Sequence, residues 1–328
     1  MLCAVPALRA LRNRYPQAHI TLIGSASCVW FVRRFGTLLD SLLPFPGYPG
    51  IPEQPYSPGT LAAFIDRARA EPYDLAIQMH GSGIVTNAFT ALLGARRVAG
   101  LYRPGFFRPS AATFFPYAEA GSEVRRCLYL AESLGCPAQG EELAFPVADA
   151  DRQALQAHPL LGKLERRRFV CIHPGARDPA RRWPAERFAR VADEIATRGY
   201  RVVLTGTAAE RATAAAVATR MTHAALNAAG ETSLGATAAL LERCALLVTN
   251  DTGVSHLAAA LRTPSVVIFL ASDPDRWAPL DRARHRPVLA RSLASLAGEG
   301  MRTSQAEVPG AHEVGEEALE LLRRQEGR

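Results

Sequence analysis

The sequence has almost no lysine and no long apolar run. Only Lys163 is a lysine among 38 basic residues. No stretch of about 18 apolar residues occurs, and the amino end has no charged segment leading into an apolar one. The sequence therefore predicts neither a membrane span nor a signal peptide, and the expected compartment is the cytoplasm.

Several chemical motifs are also missing. The six cysteines have no CxxC spacing, so we expect no disulfide and no zinc site. The sequence contains no GxGxxG after a strand, no GxxxxGK[ST], no HExxH and no GxSxG. Dehydrogenase, P-loop kinase, zinc hydrolase and serine esterase functions therefore lack support.

Length and charge indicate a soluble chain of two domains. It has 328 residues, of which 48% are hydrophobic and 21% charged, and a domain typically takes about 150 residues. The formal charge of +7 would attract phosphorylated substrates or anionic lipid headgroups, which makes peripheral contact with a membrane an expectation. A solvated arginine surface is the alternative. No basic cluster interleaved with aromatic residues indicates nucleic-acid binding.

The second half of the sequence alternates strand-like and helix-like segments. FVCIH at 169–173, RVVLT at 201–205, ALLVT at 245–249 and SVVIF at 265–269 are separated by segments with helical periodicity. In the helix predicted at 184–198, Phe188, Val191, Ala192 and Ile195 share one face. This alternation predicts a parallel sheet covered by helices, as in Rossmann-like domains.

The first half repeats the pattern more loosely. Strands are predicted at 20–23, 75–78 and 97–99, helices at 6–14 and 87–93, and a Pro/Gly-rich surface loop at 44–59. We expect an N-terminal Rossmann-like domain at 1–155, a C-terminal Rossmann-like domain at 156–310, and a helix at 311–328 that packs back on the N-terminal domain. Met1 lies just before the first helix, so the N-terminal domain lacks the strand that would open a Rossmann-like sheet.

The most informative segment is TNDTGVSH at 249–256, where a buried strand meets the start of a helix. Ligands of open parallel sheets bind outside the carboxyl ends of the strands. Free amides at Gly253, Val254 and Ser255, with the helix dipole, suit a diphosphate. Alternatively, Asp251 or Thr252 only caps the helix.

Two further segments follow neighbouring strands. His173, Gly175, Arg181 and Arg182 follow FVCIH, and a guanidinium can bind two phosphate oxygens at once. The alternative is a helix start with solvated arginines. Glu210 lies three residues after Thr207, a spacing that fits either a capping box or a carboxylate that binds ribose hydroxyls.

One histidine in the first half is a candidate for proton transfer. His80 follows the strand predicted at 75–78 and could face a cleft between the domains, although a loop histidine is more often only solvated.

Taken in order, these segments resemble glycosyltransferase family 9, the ADP-heptose:lipopolysaccharide heptosyltransferases. The resemblance rests on HPGA…RRWPAERFARVADEI, VVLTG…E, NAAGETSL, LLVTNDTGVSHLAAAL and TPSVVIFLASDP, and more weakly on VPALRALRNRYPQAHITLI and DLAIQMHGSGIVTNAFTALLGARRVAG. It implies a GT-B fold, α/β with two Rossmann-like domains facing a cleft. The donor would bind the C-terminal domain and the acceptor the N-terminal domain.

The resemblance also assigns residues. A family lysine near the donor phosphates matches Arg181, and Glu210 matches an acidic residue that contacts the nucleotide. The donor-binding positions are His173, Gly175, Arg182, Thr205, Gly206, Glu210, Thr252, Gly253, Val254, Ser255 and His256. The family's proposed carboxylate base would fall before Met1, and we expect that the natural start lies upstream.

The expected reaction is an inverting, metal-independent transfer of a heptose-like sugar from an ADP-linked donor to a hydroxyl of lipopolysaccharide core or a similar envelope glycan. The ADP-heptose is a co-substrate, and no cofactor is expected. Candidate catalytic residues are Asp251, Arg181 and His80. An inactive nucleotide-sugar-binding module of an envelope assembly is the alternative, and a sugar-nucleotide epimerase fits the fold but not the ordered motifs.

Overall fold

The chain folds into two compact α/β units in a computed structural model that describes residues 1–290 and 308–326. The first unit covers Cys3–Glu141 and the second Glu142–Arg328. The boundary lies before the helix at Asp149–Ala157, rather than at 155 as the sequence suggested, because this helix packs against the helix at Leu234–Arg243 of the second unit. Arg152 of this helix pairs with Glu242 at 3.2 Å.

The first unit contains five strands and five helices within the described residues. Its strands are β1 (Thr21–Gly24), β2 (Ser41–Pro44), β3 (Leu75–Gln78), β4 (Arg97–Tyr102) and β5 (Phe114–Pro116). Its helices are α1 (Val5–Arg14), α2 (Val29–Arg34), α3 (Pro58–Ala70), α4 (Thr86–Leu92) and α5 (Glu123–Ser133). The loop expected at 44–59 is therefore shorter, because Pro58 starts α3, a position at which its fixed φ is favourable.

The strands of this unit form two separate parallel sheets, β1-β2 and β3-β4-β5. Both contribute to one apolar cluster, in which Ile23 of β1 and Leu43 of β2 share a core with Ala76 of β3 and Phe89 of α4. In a doubly wound fold, the strand that precedes the first helix lies between the second and fourth strands, here β1 and β3. The described residues provide no strand at that position.

The second unit is built on one six-stranded parallel sheet in the order β11-β10-β9-β6-β7-β8. Its strands are β6 (Phe169–His173), β7 (Arg201–Leu204), β8 (Ala225–Asn227), β9 (Leu246–Asn250), β10 (Ser265–Phe269) and β11 (His285–Leu289). Its helices before the C-terminal one are α6 (Asp149–Ala157), α7 (Ala185–Ala196), α8 (Arg211–Ala218), α9 (Leu234–Arg243), α10 (Gly253–Ala260) and α11 (Pro274–Trp277). Every residue of β6, β9 and β10 is buried, as expected for strands covered on both faces.

The order of strands determines where a ligand can bind. β6 pairs with β9 so that His173 lies beside Thr249, and β10 flanks β9 on its other side. Since parallel strands end at one edge of the sheet, the loops after β6 and β9 are neighbours there. Helix α7 covers the sheet with Phe188, Val191 and Ile195, the face predicted from the sequence.

The last described helix, α12 (Ala311–Glu326), lies on the second unit, whereas the sequence analysis expected it on the N-terminal domain. Its apolar side chains, including Val314, Ala318 and Leu322, belong to the core that also contains Phe188 and Ile268. The Gln325 amide donates to the Ala245 carbonyl at 2.7 Å. The 291–307 part of the predicted second domain lies outside the described residues.

No helix within the described residues is both long and apolar enough to cross a membrane.

Candidate functional site

Asn250, the last residue of β9, fixes the loop that follows β6. Its side-chain amide donates to the carbonyls of Pro174 at 2.9 Å and Gly175 at 3.3 Å. Its Oδ1 accepts a hydrogen bond from the Trp183 amide at 3.0 Å. Because Asn250 is fully buried, these three bonds satisfy a polar group that would otherwise be costly. The two loops at the sheet edge are therefore held together by one side chain.

The next residue, Asp251, connects three elements. Its amide donates to the Ile268 carbonyl of β10 at 2.9 Å, while its carboxylate accepts hydrogen bonds from Arg181 Nη1 at 3.2 Å and from the Ser272 hydroxyl. The Asp251 side chain is only 3% exposed, and that of Arg181 is 36% exposed. A buried carboxylate needs such charged and polar partners. Asp251 is therefore placed to orient Arg181 through a single contact to Nη1.

Helix α10 starts beside this ion pair. Thr252 is extended at the N-cap, with φ −153° and ψ 175°, and its side chain makes no capping bond. The amide and hydroxyl of Ser255 both donate to the Thr252 carbonyl, at 3.0 and 2.7 Å. The prediction that the Ser255 amide is free is thus wrong, because this amide donates to the Thr252 carbonyl within the first turn of α10. The amides of Gly253 and Val254 lie in the first turn, where a helix provides no acceptor for them.

A pocket of about 480 Å³ opens between the two loops. Its lining residues are Ala176, Arg177, Asp178, Arg181, Asp251, Thr252 and Gly253. A Cβ added at Gly253 would meet no atom within 4 Å, so this glycine faces open space. Arg181 Nε is buried and has no hydrogen-bond partner among the described residues. The pocket therefore combines a guanidinium with the positive end of a helix, which suits an anion.

A second group of predicted residues lies at the ends of β6 and β7. His173 is buried, and its Nδ1 is hydrogen-bonded with Thr205 Oγ1 at 3.1 Å, while its Nε2 lies 3.8 Å from Glu210 Oε2. Burial lowers the pKa of His173, although the Glu210 carboxylate acts in the opposite direction. A Cβ at Gly175 would lie 2.3 Å from Glu210 Oε1, so a larger residue here would displace the Glu210 carboxylate.

Glu210 also has the capping role that its spacing allowed. Its Oε2 accepts hydrogen bonds from the Thr207 amide at 2.8 Å and the Thr207 hydroxyl at 2.9 Å. Gly206 lies just before this cap, and a Cβ there would approach Glu210 Cβ to 3.2 Å. The structure therefore confirms the helix cap and brings Glu210 close to Gly175 and His173.

His256 is half-buried in α10. Its ring meets the Trp277 ring edge-on, with centroids 6.2 Å apart. Burial lowers the pKa of His256, which favours the neutral imidazole at neutral pH.

Comparison with known proteins assigns the family. The sequence model of glycosyltransferase family 9 (heptosyltransferase) matches residues 61–293. The chain belongs to glycosyltransferase family 9.

Two curated members of this family illustrate the similarity. Lipopolysaccharide heptosyltransferase 2 of Escherichia coli (strain K12) is 39% identical over 119 residues, which cover 35% of this chain and 34% of that protein. Lipopolysaccharide heptosyltransferase 3 of the same strain is 26% identical over 292 residues, covering 85% and 81%. The match to heptosyltransferase 2 thus spans only about a third of its length.

Solved structures agree on the fold. A glycosyl transferase family 9 protein from Veillonella parvula DSM 2008 superposes with a TM-score of 0.79 at 23% identity, covering 98% of this chain and 94% of that one. E. coli ADP-heptose lps heptosyltransferase II gives 0.72 at 24% identity, covering 99% and 96%. The predicted GT-B fold is confirmed.

Of the candidate residues, those of the second unit gather at one sheet edge, but they do not all face the pocket. Arg182 is exposed, and its Nε donates to the Ala176 carbonyl at 2.8 Å, which braces the loop. Val254 is buried in α10. Arg181, Thr252 and Gly253 line the pocket.

His80 belongs to the first unit of this family 9 protein. It follows β3, and its exposed ring lies 3.2 Å from Glu53 Oε1. The Thr86 hydroxyl donates to its backbone carbonyl at 3.0 Å. His80 is thus an accessible side chain on a loop with a fixed backbone.

The sequence analysis missed two residues that shape the site. Asn250 lies in the 249–256 segment but was not selected as a candidate. A polar residue at the end of an otherwise apolar buried strand could have indicated its role. Ser272 gave no signal, because only the fold brings it to Asp251. The described residues contain no group of three or more His, Cys, Asp or Glu side chains that could hold a metal.

Proposed function

We propose that this protein transfers a heptose-like sugar from an ADP-linked donor to a hydroxyl of lipopolysaccharide core or a related envelope glycan, on the cytoplasmic side of the inner membrane. The transfer inverts the configuration at the anomeric carbon and needs no metal. The observation that carries the proposal is the pocket in which Arg181 lies beside the start of α10.

The diphosphate is proposed to bind in this pocket. Its oxygens would accept hydrogen bonds from the Gly253 and Val254 amides and from Arg181, whose buried Nε has no hydrogen-bond partner in the described part of the chain. Asp251, which accepts a hydrogen bond from Ser272, holds the guanidinium in place, so its orientation is set before the donor binds. Asp251 repels the donor less than a free carboxylate would, because it is paired with the Arg181 guanidinium and accepts a hydrogen bond from the Ser272 hydroxyl.

This arrangement suits the chemistry of the leaving group. As the bond between the sugar and the diphosphate breaks, negative charge grows on the diphosphate oxygen. Fixed donors at that position stabilise the transition state more than the ground state. Arg181 and the helix amides can thereby take the role that a divalent cation has in other transferases.

The nucleoside is proposed to lie toward Glu210, Gly175 and Gly206. The Glu210 Oε1 atom points at Gly175, and a carboxylate there can accept hydrogen bonds from ribose hydroxyls. The ADP and heptose parts of the proposal are carried over from heptosyltransferase relatives, including the E. coli structure that is named for ADP-heptose.

The acceptor is proposed to bind the first unit, with His80 as candidate general base. The imidazole is exposed, and its neighbour Glu53 could stabilise the protonated ring. The base would remove the acceptor proton as the acceptor oxygen attacks the anomeric carbon from the side opposite the diphosphate. A carboxylate, which the resemblance to the family implies, is the competing base.

The direct test is a transfer assay with purified protein, ADP-heptose and a heptose-deficient lipopolysaccharide core, followed by mass spectrometry. We expect the acceptor to gain one heptose, equally well with and without EDTA, and UDP-linked sugars to give no product. A His80→Gln variant separates the two bases, because it loses activity only if His80 takes the proton.

The second candidate is a nucleotide-sugar-binding module without transferase activity. The second unit has a pocket suited to a donor diphosphate, whereas the candidate base His80 lies on the surface of the first unit. This contrast favours donor binding without transfer. Binding of ADP-heptose without transfer, by this chain and by one extended upstream, would support the module.

A further inference from the structure

The loop between β6 and α7, residues 174–184, carries Arg181 and is anchored at both ends. At its start, the Asn250 amide donates to the carbonyls of Pro174 and Gly175. Near its end, the backbone amide of Trp183 donates to Asn250 Oδ1 at 3.0 Å. Arg181 lies just before this second anchor in the sequence. The position of Trp183 therefore limits where the guanidinium of Arg181 can lie.

Trp183 makes a second polar contact, with the segment that leads into α12. Its Nε1 donates to the Pro309 carbonyl at 3.0 Å, across 126 positions of the sequence. Trp183 is only 2% exposed, and its ring meets the Phe188 ring edge-on with centroids 4.9 Å apart. Because a buried indole N–H needs an acceptor, this bond fixes the indole relative to Pro309. Trp183 thus connects the Arg181 loop with the start of α12.

Segment 308–310 is itself held against α7. Arg187 Nη1 donates to the Val308 carbonyl at 2.7 Å and to the Pro309 carbonyl at 2.6 Å. Pro309 is buried, and Val308 packs against the core of the second unit. The Pro309 carbonyl accepts from both Trp183 and Arg187, which matches the two lone pairs of its oxygen. The segment is therefore a fixed support for the indole.

We infer that Trp183 is a positioning residue for the donor site, through which segment 308–310 holds the Arg181 loop in place. Asp251 contacts only Nη1 of Arg181, so it orients the end of the side chain. Trp183 fixes the backbone that carries this side chain. A loop that is ordered in advance loses less conformational entropy when an anion binds.

This inference rests on the proposed function, because the order of the loop matters to the reaction only if Arg181 binds the donor diphosphate. Trp183 does not line the pocket and acts through Arg181. Its buried ring also belongs to the core of the second unit. A role in the core alone would affect stability without changing the discrimination between ADP and AMP, so the two roles can be separated.

The test uses Trp183→Phe in the full chain, which keeps an aromatic ring beside Phe188 but removes the Nε1 donor. Hydrogen–deuterium exchange read by mass spectrometry reports the order of loop 174–184 without any ligand. Calorimetric titration of ADP and of AMP reports the donor site. We expect loop exchange about fivefold faster and ADP affinity about fivefold lower, the effect of one net hydrogen bond. AMP affinity should change less, because AMP lacks the second phosphate.

A second variant and a matched control complete the design. Arg187→Ala releases segment 308–310 but leaves the indole in place, and it should change loop exchange and ADP affinity in the same direction. Tyr200→Phe is the control, because the Tyr200 hydroxyl donates to Glu326 at 2.9 Å at the other end of α12. It removes one hydrogen bond to the same helix and should leave both measurements at the wild-type value, even if it lowers Tm equally.

Two results would overturn the inference. One is loop exchange at the wild-type rate in both Trp183→Phe and Arg187→Ala. The other is an equal effect in Tyr200→Phe, because the changes would then follow from a general loss of stability. If loop exchange responds as expected but the wild type does not bind ADP, the proposed function fails, and with it the donor role of Trp183, whereas the ordering of the loop by Trp183 stands.

Discussion

At the scale of single residues, the site depends on side chains that position other groups. Asp251 lines the pocket with a side chain that is only 3% exposed, and it orients Arg181. Asn250 acts similarly on the loop that carries Arg181, through bonds to Pro174, Gly175 and Trp183. Such residues are hard to identify from a sequence, because their partners are about 70 positions away.

The pair of Arg181 and Asp251 leads to the first prediction. We expect Arg181→Ala and Asp251→Ala each to lower turnover at least about tenfold, since a hydrogen bond to a charged group contributes roughly 1.5–3 kcal/mol. Steady-state kinetics of both single variants and the double variant measures their coupling. The double variant should lose less than the sum of the single losses, because it leaves no unpaired buried charge.

Arg190→Ala is the matched control for this pair, because Arg190 is exposed on α7 of the same unit. Rates of Arg181→Ala and Asp251→Ala that equal that of Arg190→Ala would remove both residues from the reaction.

At the scale of elements, most of the second unit could be predicted from the sequence. Strands β6 and β10 have the expected bounds, and α7 buries the expected face, because continuous apolar runs and helical periodicity are strong signals there. The short edge strands β8 and β11 were missed. β11 contains Arg286 and Pro287, which are tolerated on an edge but hide the strand pattern.

The candidate site could be predicted less completely than the fold. The junction between a buried apolar strand and the start of a helix identified the loop of Asp251 and Gly253. The family resemblance identified Arg181. Which amides are free could not be predicted, since Ser255 bonds back to Thr252 through the local geometry of the first turn. In the first unit, α2, β2 and β5 were missed because they are short, and the longer helices α3 and α5 were missed as well.

Helix α10 provides a prediction at this scale. We expect Gly253→Ala to leave the fold intact, because the added methyl meets no protein atom, but to weaken ADP binding about tenfold or more by occupying the space beside the helix amides. Gly59→Ala is the control, since Gly59 lies in the first turn of α3 and its Cβ is also unobstructed. Thermal unfolding and calorimetric titration of both variants give the answer, and equal ADP affinities would argue against binding at α10.

At the scale of the whole molecule, buried histidines should make stability depend on pH. Burial lowers the pKa of His285 from 6.5 to about 4, while its Nδ1 hydrogen-bonds with Ser265. The pKa values of His173 and His256 are also lowered by burial. Below pH 6.5 the unfolded chain therefore binds protons that the folded chain does not, so acid favours unfolding.

We expect the histidine contribution to the free energy of unfolding to be constant above pH 6.5 and to fall as the pH drops toward 4. His285 accounts for up to about 3 kcal/mol of this fall. Urea unfolding at a series of pH values measures this. His285→Gln should flatten the curve in that window, whereas His312→Gln, a variant of an exposed histidine on α12, should not. An unchanged slope in His285→Gln would show that His285 titrates normally in the folded protein.

The central claim is that Arg181 and the start of α10 bind the diphosphate of an activated sugar. Calorimetric titration of ADP and of AMP into the wild type and into Arg181→Ala tests it most directly. We expect the wild type to prefer ADP by about tenfold or more, because the second phosphate gains the guanidinium and helix contacts, and the variant to lose most of this preference. An ADP preference that persists undiminished in Arg181→Ala, or a wild type that binds both nucleotides equally, would contradict the claim.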